Sequence, residues 1–481
     1  MSDVSQPGFT PKPTKQPSQV ALILIIAILA VALVAVGIFA YSVTRGSRNP
    51  EIETTTTPPT TTIPTPTPTP TLTPTLVGLA CEGGDNSTWL LSLCGSGDES
   101  MDTVAVSGNG IIFAAGQTTS TDGVFASLPA TGDTRSYLAL FDDKTATDLR
   151  GDIGNINDIK ATPDGGVITV GDAGDNHTAT LVKYDADGAV AWQAHYSVRG
   201  TFSSFSGVAV ADDGTIVAIG QTSPVKNGVA GDPTESFIAK YNASGKRAWL
   251  KHDDLMIMRM NGLPSQIAIG AKGVIVLAGT KYANFDSPDL GLTHSFTYTL
   301  TSSGAGQAFA EGGGSNAVNA YYDVIATPKG DFMAVGMFCS ADSGLSPGGR
   351  CTGVMSEVTA KTGSPVTSCY YQSDYPSRIN AVAITPTGDY VVAGATTQAN
   401  SDAMIALVSR PTGMYQPCPM IWGDTFGGPG DDSFQDVTVL PNGDIVAVGQ
   451  TSSKSGDLLP SMGGSDAFII KLTADGDTIA R

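Results

Sequence analysis

The residues best placed to do chemistry in this sequence are paired carboxylates in turn-rich segments. The pairs, each just before an apolar alternating run, are Asp98 with Glu99, Asp253 with Asp254, and Asp431 with Asp432. Long loops predicted to share a face with them contain Asp172, Asp175, Asp232, Asp286 and Asp457. Carboxylate oxygens are preferred ligands of Ca²⁺, and two carboxyl groups across a cleft can cleave a glycosidic bond. The acidic loops therefore admit a calcium-binding and a glycan-cleaving interpretation.

A third interpretation of the acidic loops needs no ligand. Aspartate is favoured in turns because its side chain accepts hydrogen bonds from nearby backbone amides. A complete calcium-binding loop is missing from the sequence, and DADG at residues 185–188 is typical of a hairpin turn. We favour turn chemistry and solubility, and we predict no catalytic, cofactor-binding or metal-binding residue.

Other motifs that carry chemistry are absent from the sequence. It contains no GxSxG elbow, phosphate-binding loop or dinucleotide fingerprint in a strand-to-helix context. It also lacks CxxC and HExxH spacings, and its four histidines are scattered. A formal charge of -19 would repel a phosphate backbone, so nucleic acid is excluded as a partner. These absences predict a protein that is not an enzyme and carries no cofactor.

Seven copies of one β unit position the acidic loops. Each copy has an alternating apolar run, a turn glycine, five residues and a second glycine. The glycine pairs are Gly110 and Gly116, Gly165 and Gly171, Gly214 and Gly220, Gly273 and Gly279, Gly330 and Gly336, Gly388 and Gly394, and Gly443 and Gly449. The second glycines recur every 49 to 59 residues, which is typical of a repeated supersecondary unit.

Each repeat predicts four antiparallel strands. Runs such as VAVADDG and TIVAIG flank the first glycine and indicate a hairpin. Later runs such as SFIAKYNASG and AWLKHD predict a third and a fourth strand. Because helical periodicity is confined to the amino-terminal segment, the sequence predicts an all-β, seven-bladed β-propeller with four-stranded antiparallel blades over residues 81–481.

Tryptophans fix the phase of the fourth strands. Trp89, Trp192, Trp249 and Trp422 precede the second glycine of the following hairpin by 27 to 30 residues. At a constant phase they predict packing between or at the edges of blades rather than sugar stacking. The last repeat ends before its own fourth strand, while STWLLSL at 87–93 has the tryptophan of one. We expect this segment to supply the missing outer strand and to close the ring.

The amino-terminal residues have a different character. Val20 to Tyr41 contain no charge and as a helix would span roughly 33 Å, the thickness of a bilayer's apolar core. Residues 54–76 are almost all Thr and Pro, a composition of extended stalks. We predict a cytoplasmic tail over 1–19, a transmembrane helix and uncleaved signal anchor over 20–43, an extracellular stalk over 44–80, and a propeller outside the cell.

All six cysteines lie on the predicted outer side of the membrane. An even number in an oxidising compartment is compatible with disulfides. Proximity favours Cys81 with Cys94 and Cys339 with Cys351, and Cys369 with Cys418 then remains, joining neighbouring repeats. The sequons at Asn86, Asn176 and Asn242 are compatible with exposed loops.

Two segments of the carboxyl-terminal repeats resemble a known bacterial family. FGGPGDDSFQDVTVLPNGDIVAVGQTSS at 426–453 and GGSDAFIIKLTADGD at 463–477 are similar to the SBBP-type or delta-60-type β-propeller repeat of bacterial surface and secreted proteins. The resemblance covers roughly residues 87–481, with departures in the fourth and fifth repeats at TYTLTSSGAG and GVMSEVTAKTG. It implies a propeller in an envelope or extracellular setting and no defined catalytic set.

These observations predict a cell-surface, membrane-anchored propeller that acts as a non-catalytic binding, adhesion or scaffolding module. Its expected partners are the membrane, through the amino-terminal helix, and a cell-envelope or extracellular protein or glycan. The alternative is an extracellular polysaccharide hydrolase or lyase that uses carboxylates on the loop face.

Overall fold

The computed structural model describes the chain from Trp89 onward, with gaps. The described residues are 89–129, 133–142, 146–151, 154–173, 178–226, 229–230, 235–252, 262–282, 293–312, 317–340, 351–398, 400–458 and 460–479. The predicted tail, transmembrane helix and stalk at 1–19, 20–43 and 44–80 lie outside them. Within these ranges, no helix has the length and apolarity needed to cross a membrane.

The described chain is built from β-strands, with two short 3-10 turns at Gly123–Ser127 and Ala271–Gly273. A first strand, β1 (Leu90–Leu93), precedes the repeats. Repeat one contains β2 (Glu99–Val106), β3 (Ile112–Thr118), β4 (Arg135–Phe141) and β5 (Ala146–Arg150). Repeat two contains β6 (Asn155–Ala161), β7 (Val167–Asp172), β8 (Ala179–Tyr184) and β9 (Val190–Tyr196). Repeat three contains β10 (Thr201–Val210), β11 (Ile216–Lys226), β12 (Val229–Ala230), β13 (Glu235–Tyr241) and β14 (Arg247–His252).

The later repeats follow the same order. Repeat four contains β15 (Gly262–Ile269), β16 (Ile275–Tyr282), β17 (Thr293–Leu300) and β18 (Gly306–Gly312). Repeat five contains β19 (Ala317–Ala326), β20 (Phe332–Ser340), β21 (Cys351–Val358) and β22 (Pro365–Tyr370). Repeat six contains β23 (Ser377–Ile384), β24 (Tyr390–Thr397), β25 (Ser401–Val408), β26 (Gln416–Pro417) and β27 (Met420–Phe426). Repeat seven contains β28 (Asp432–Val439), β29 (Ile445–Thr451) and β30 (Asp466–Leu472).

The strands form four-stranded antiparallel sheets, as the repeat pattern predicts. Repeats four and five, whose third-strand sequences depart from the others, still form β17 and β21 there. Parallel contacts, one residue pair between β17 and β19 and two between β22 and β26, join repeats four and five and the short β26 into one nine-stranded sheet, and β12 adds a fifth strand to repeat three. The four-strand prediction is therefore confirmed.

The two glycines of each repeat serve different backbone needs. The first lies in the hairpin turn with a positive φ, 81° at Gly110 for example, which a residue with a Cβ rarely adopts. The second faces a bulge in the first strand: a Cβ on Gly116 would lie 1.9 Å from the carbonyl oxygen of Ser100. The register shifts at this level in all seven first strands, including Met101/Thr103 in β2 and Phe434/Asp436 in β28.

Apolar cores lie between successive repeats. Each cluster of buried side chains joins one repeat to the next along the chain. A further cluster joins the last repeat to the first, with Trp89, Leu91 and Val446 packed against Ile112 and neighbouring side chains of repeat one. Each sheet is thus apolar on both faces, which explains the near-continuous apolar runs of the middle strands.

The strand β1 completes the sheet of the last repeat. It pairs antiparallel with β30, with Leu90 opposite Ile470 and Leu93 opposite Ala467. Trp89 extends the pairing, since its amide donates to Ile479 O at 2.6 Å and its carbonyl accepts from Lys471 N at 2.9 Å. The prediction that the segment around STWLLSL supplies the missing outer strand is confirmed.

The tryptophans pack between neighbouring repeats. The rings of Trp192, Trp249 and Trp422 lie against the turn glycines Gly245, Gly304 and Gly476 of the following repeat, where a Cβ would come within 3.0 Å. Two indoles also donate across the junction, Trp249 Nε1 to Ser302 O at 3.3 Å and Trp422 Nε1 to Ala474 O at 3.1 Å. The structural role predicted for these side chains is confirmed.

Two predicted disulfides are present. Cys339 bonds to Cys351 across β20 and β21. Cys369 bonds to Cys418 and ties β22 of repeat five to the segment that precedes β27 of repeat six. Cys94 is disulfide-bonded as well, and its predicted partner, Cys81, lies outside the described residues.

Truncating a buried side chain of β1 should destabilise the folded protein. Leu91 is 4% exposed, so Leu91→Ala leaves a cavity between the last and first repeats and should lower the free energy of unfolding by about 2–5 kcal/mol. Val190, on the fourth strand β9, is 56% exposed, so Val190→Ala should change it by less than about 0.5 kcal/mol. Urea denaturation followed by tryptophan fluorescence measures both. Equal losses in the two variants would contradict the role of β1.

Candidate functional site

Two of the three acidic pairs predicted from the sequence, Asp98 with Glu99 and Asp431 with Asp432, lie at junctions between repeats. Asp98 Oδ1 accepts a hydrogen bond from Ser465 N of repeat seven at 3.0 Å. Asp431 Oδ1 accepts one from Ser401 N of repeat six at 2.9 Å. The same kind of bond thus joins repeat seven to repeat one and repeat six to repeat seven. In each case one carboxylate oxygen accepts a hydrogen bond from the neighbouring sheet.

The second member of each of these two pairs is buried, and both of its carboxylate oxygens accept hydrogen bonds. Glu99 is 1% exposed, and it accepts hydrogen bonds from Gly95 N at 3.0 Å and from the hydroxyls of Thr118 and Ser120. Asp432, also 1% exposed, accepts bonds from Gly428 N at 3.0 Å and from the hydroxyls of Thr451 and Ser453. These side chains order the turn that precedes their strand, as the turn interpretation requires.

A second carboxyl group lies beside each of these buried acids. Burial raises the pKa of Asp466 to about 6; a hydrogen bond from Met462 N opposes the rise, and the neighbouring Glu99 adds to it. Burial, followed by the charge of Asp432, raises the pKa of Asp402. Both Asp402 and Asp432 point at Gly427, where a Cβ would lie 2.6 Å from an oxygen of each. At each junction, the raised pKa of one acid favours its protonated form, and the neighbouring carboxylate already accepts hydrogen bonds from the protein.

The remaining predicted acids do not form one site. Asp172 is buried and accepts hydrogen bonds from Asn155 Nδ2 and from Ser204 Oγ of the next repeat, each at 3.2 Å. Asp457 is exposed. Asp175, Asp232, Asp253, Asp254 and Asp286 lie outside the described residues. In the part of the chain that the structure describes, no group of three or more His, Cys, Asp or Glu side chains could hold a metal ion.

A set of polar side chains that sequence reasoning missed lies on the bulged first strands. Asp158, Asp323 and Asp436 occupy the position just after the bulge in repeats two, five and seven. Each accepts a hydrogen bond at 2.9 Å from a backbone amide of the next repeat. The donors are Val208, Val382 and, for the junction from last repeat to first, Val104.

Other residue types make related bonds at some of the other bulges. Thr103 Oγ1 accepts from Ile159 N at 3.2 Å between repeats one and two. At the bulge position itself the direction reverses, because Asn157, Ser265 and Asn380 donate to backbone carbonyls of the next repeat at 2.6 to 2.9 Å. We call these residues and the three aspartates the bulge ladder.

One lysine neutralises part of the bulge ladder. Lys160 Nζ lies 2.9 Å from Asp158 Oδ1, with the lysine side chain 32% exposed and the carboxylate 1% exposed. Burial alone would lower the pKa of Lys160, but the charges of Asp158, Asp436 and Asp323 outweigh it and raise that pKa. Burial raises the pKa of Asp323. The cluster is thus a compensated charge network rather than a set of free acids.

The sequence did contain a signal for this network. Asp158, Asp323 and Asp436 each stand thirteen residues before the second glycine of their repeat. The spacing was informative, because the second glycine marks the bulge and the aspartate follows that bulge on the paired strand. The spacing could not reveal which backbone amide each aspartate accepts a hydrogen bond from, because that amide belongs to another repeat.

Removing one ladder carboxylate should loosen the junction between repeats. Asp158→Ala deprives Val208 N of its acceptor and leaves Lys160 without its closest counter-charge, so the free energy of unfolding should fall by about 2–4 kcal/mol. Asp475 is exposed in a hairpin turn, and Asp475→Ala should cost less than about 0.5 kcal/mol. Urea denaturation of both variants is the measurement, and a neutral Asp158→Ala would rule out a stabilising ladder.

Asp436 should give the stability a pH dependence. Burial raises the pKa of Asp436 from 3.8 to about 6; Lys160 opposes this and Asp323 adds to it. Because the folded state holds this proton more tightly than the unfolded state, the contribution is full below about pH 4 and is lost as the pH rises through about 6. Asp436→Asn keeps an acceptor but cannot titrate. It should therefore reduce the difference in free energy of unfolding between pH 4.5 and pH 7.5 by roughly 1–3 kcal/mol. Denaturation midpoints at pH 4.5, 5.5, 6.5 and 7.5 test it; an unchanged slope would contradict the assignment.

Comparison with known proteins gives structural similarities only. No family model matches the chain, and no curated protein matches it. A solved protein of unknown function from Dyadobacter fermentans is 12% identical with a TM-score of 0.48, over 80% of this chain and 98% of that one. An ulvan lyase, from a new family of polysaccharide lyases, is 10% identical with a TM-score of 0.48, over 81% and 97%. An α-L-arabinofuranosidase from Fusarium graminearum is 11% identical with a TM-score of 0.42, over 80% and 98%.

Proposed function

We propose that this chain is a seven-bladed β-propeller that acts as a non-catalytic binding, adhesion or scaffolding module at the cell surface. The observation that carries the proposal is the use made of the loop carboxylates. Asp98 and Asp431 spend an oxygen on the neighbouring sheet, and Glu99 and Asp432 are buried and engaged. Glu99 and Asp432 are therefore committed to the scaffold, and Asp98 and Asp431, which are exposed, each use one oxygen to join two sheets.

The scaffold suits a binding role. The bulge ladder, the interleaved apolar cores and the closing strand β1 connect the repeats into one body, so the loops between strands are held in fixed relative positions. Loops carried by a rigid framework are the usual place for recognition in β proteins. The expected partner is a cell-envelope or extracellular protein or glycan.

The proposed location rests on the amino-terminal sequence and on the cysteines. A single-pass helix over 20–43, with 1–19 in the cytoplasm and the stalk over 44–80 outside, would present the propeller beyond the membrane. Disulfides persist in oxidising compartments, and Cys339–Cys351 and Cys369–Cys418 are compatible with that placement.

The alternative function is a polysaccharide hydrolase or lyase that uses loop-face carboxylates. One observation favours it: Asp466, whose pKa is raised to about 6, neighbours Glu99, and glycosidases pair a protonated acid with a carboxylate. Asp466 and Glu99 are only 0% and 1% exposed. Since a substrate must reach both groups, we place this function second.

Retention and cleavage can be measured in one experiment. The full-length chain, purified in detergent and immobilised, is exposed to envelope polysaccharides and to surface-protein extracts, with and without calcium and chelator. We expect saturable retention, no new reducing ends or unsaturated products, and no effect of chelation, because the described residues contain no group of three or more side chains that could hold a metal ion.

Each other outcome has a defined meaning. Product release that is lost in Asp466→Asn would replace the binding module with the enzyme. Retention abolished by chelator would restore the calcium interpretation of the loops. Absence of retention from every preparation would overturn the proposed function, provided circular dichroism shows the immobilised protein to be folded.

A further inference from the structure

A cavity lies between repeats four and five, away from the acidic junctions. It encloses about 70 Å³ and is open on one side. Its walls come from β17, β19, β20, β21 and β22, and Tyr415, in the segment before β27, lies at its edge. Its described lining has hydroxyls, an amide, aromatic rings and apolar side chains, and it contains no charged side chain.

One lining residue has an unmet hydrogen-bonding requirement. Asn319 is 2% exposed, yet among the described residues neither its Nδ2 nor its Oδ1 has a hydrogen-bond partner. A buried amide without partners is costly. The side chain therefore offers one donor group and one acceptor to whatever occupies the cavity.

The other repeats show that this position is normally satisfied. Asn319 pairs with Phe338, two residues beyond the second glycine of its repeat. Glu99, Ser377 and Asp432 hold the same place in repeats one, six and seven. Each of these three has a side-chain hydrogen bond within the protein, as when Ser377 Oγ accepts from Gly353 N at 3.0 Å. The lack of an internal partner is thus particular to the repeat that has the cavity.

Hydroxyl groups line the same cavity as the amide. Ser295, Thr352, Ser356 and Ser368 line the cavity, and all four are at most 6% exposed. The Ser356 and Ser368 oxygens lie 3.2 Å apart. Burial raises the pKa of Tyr321, against hydrogen bonds with Ser356 and Ser295 that lower it, so its phenol stays neutral and joins this set. Ser295 Oγ donates to Gly312 O at 3.4 Å and Thr352 Oγ1 to Tyr371 O at 3.0 Å, so these two oxygens remain as acceptors for the hydroxyls of a carbohydrate.

An aromatic ring is held at the edge of the cavity. Tyr415 is 58% exposed and has a φ of 54°, a conformation uncommon for residues other than glycine. Its segment is fixed on both sides: Ser368 N donates to Gly413 O at 2.8 Å, β26 pairs with β22, and Cys418 is bonded to Cys369. An exposed ring anchored beside this cavity is a suitable stacking surface.

We propose that this cavity binds one neutral sugar unit, with hydroxyls directed at Asn319 and its ring against Tyr415. The inference deepens the proposed binding function by naming a ligand class. Without a charged lining residue the cavity offers no counter-ion to a uronic acid or a phosphate, so acidic sugars should bind poorly. Its volume of about 70 Å³ admits one hydroxyl-bearing edge of a sugar ring, and the rest of the ring lies outside the cavity, against Tyr415.

Direct titration tests the proposal on the full-length chain in detergent. Methyl glycosides of glucose, galactose, mannose and N-acetylglucosamine, with glucuronic acid as the charged comparison, are followed by saturation-transfer NMR and calorimetry. We expect at least one neutral glycoside to bind. Asn319→Leu and Tyr415→Ala should each weaken it by about tenfold or more, whereas Tyr375→Ala, an exposed tyrosine outside the cavity, should not.

A thermal melt distinguishes ligand recognition from a structural role. Asn319→Leu replaces an unsatisfied amide by an apolar group of similar size, so it should leave the melting temperature unchanged or raise it. A fall in melting temperature would assign Asn319 to stability and overturn the proposal, as would undiminished sugar binding by the variant or no binding of any neutral glycoside to the wild type. If those glycosides fail while envelope polysaccharides or surface proteins are still retained, the binding module stands without this pocket.

Discussion

The structure depends on a hydrogen bond that leaves the first strand at its bulge in six of the seven repeats and ends on the neighbouring repeat. A regular strand would direct both of its polar backbone edges within its own sheet. The bulge turns one side chain toward the adjacent sheet, and Asp158, Asp323 and Asp436 use that freedom to accept a backbone amide. The second glycine of each repeat follows from the same bulge, because the displaced backbone fills the space of a Cβ.

This constraint explains which parts of the fold the sequence could predict. The glycine spacing, the apolar alternation and the tryptophan phase are local features that each repeat displays by itself, and they yielded the strands, the closing segment and the role of Trp192, Trp249 and Trp422. The disulfide between Cys369 and Cys418 was reached by elimination. Hydrogen bonds between repeats were harder to predict from the sequence. The bulge ladder uses Asp, Thr, Asn and Ser at different repeats, so no single residue type marks these positions.

The acidic loops show the same limit for the site. From the sequence, Asp98 and Asp431 could bind calcium, serve catalysis or order turns, because each role requires an exposed loop and a carboxylate. The choice depends on Ser465 N and Ser401 N, which belong to other repeats and lie far away in the chain. Asn319 could not be singled out for the opposite reason. Asn319 is unusual because its amide has no hydrogen-bond partner among the described residues. A sequence shows which polar groups are present but not which of them lack a partner in the fold.

The position of β1 bears on how the domain would carry a mechanical load. Cys94, directly after β1, is disulfide-bonded, and a bond to its predicted partner Cys81 would carry tension from the amino-terminal side past the four-residue pairing of Leu90 to Leu93 with β30. Trp89 adds two backbone bonds and a fully buried indole to that pairing, within the core shared by the last and first repeats. Reduction of the Cys94 disulfide would place β1 in the path of the load, and unfolding under tension would then begin with peeling of this strand.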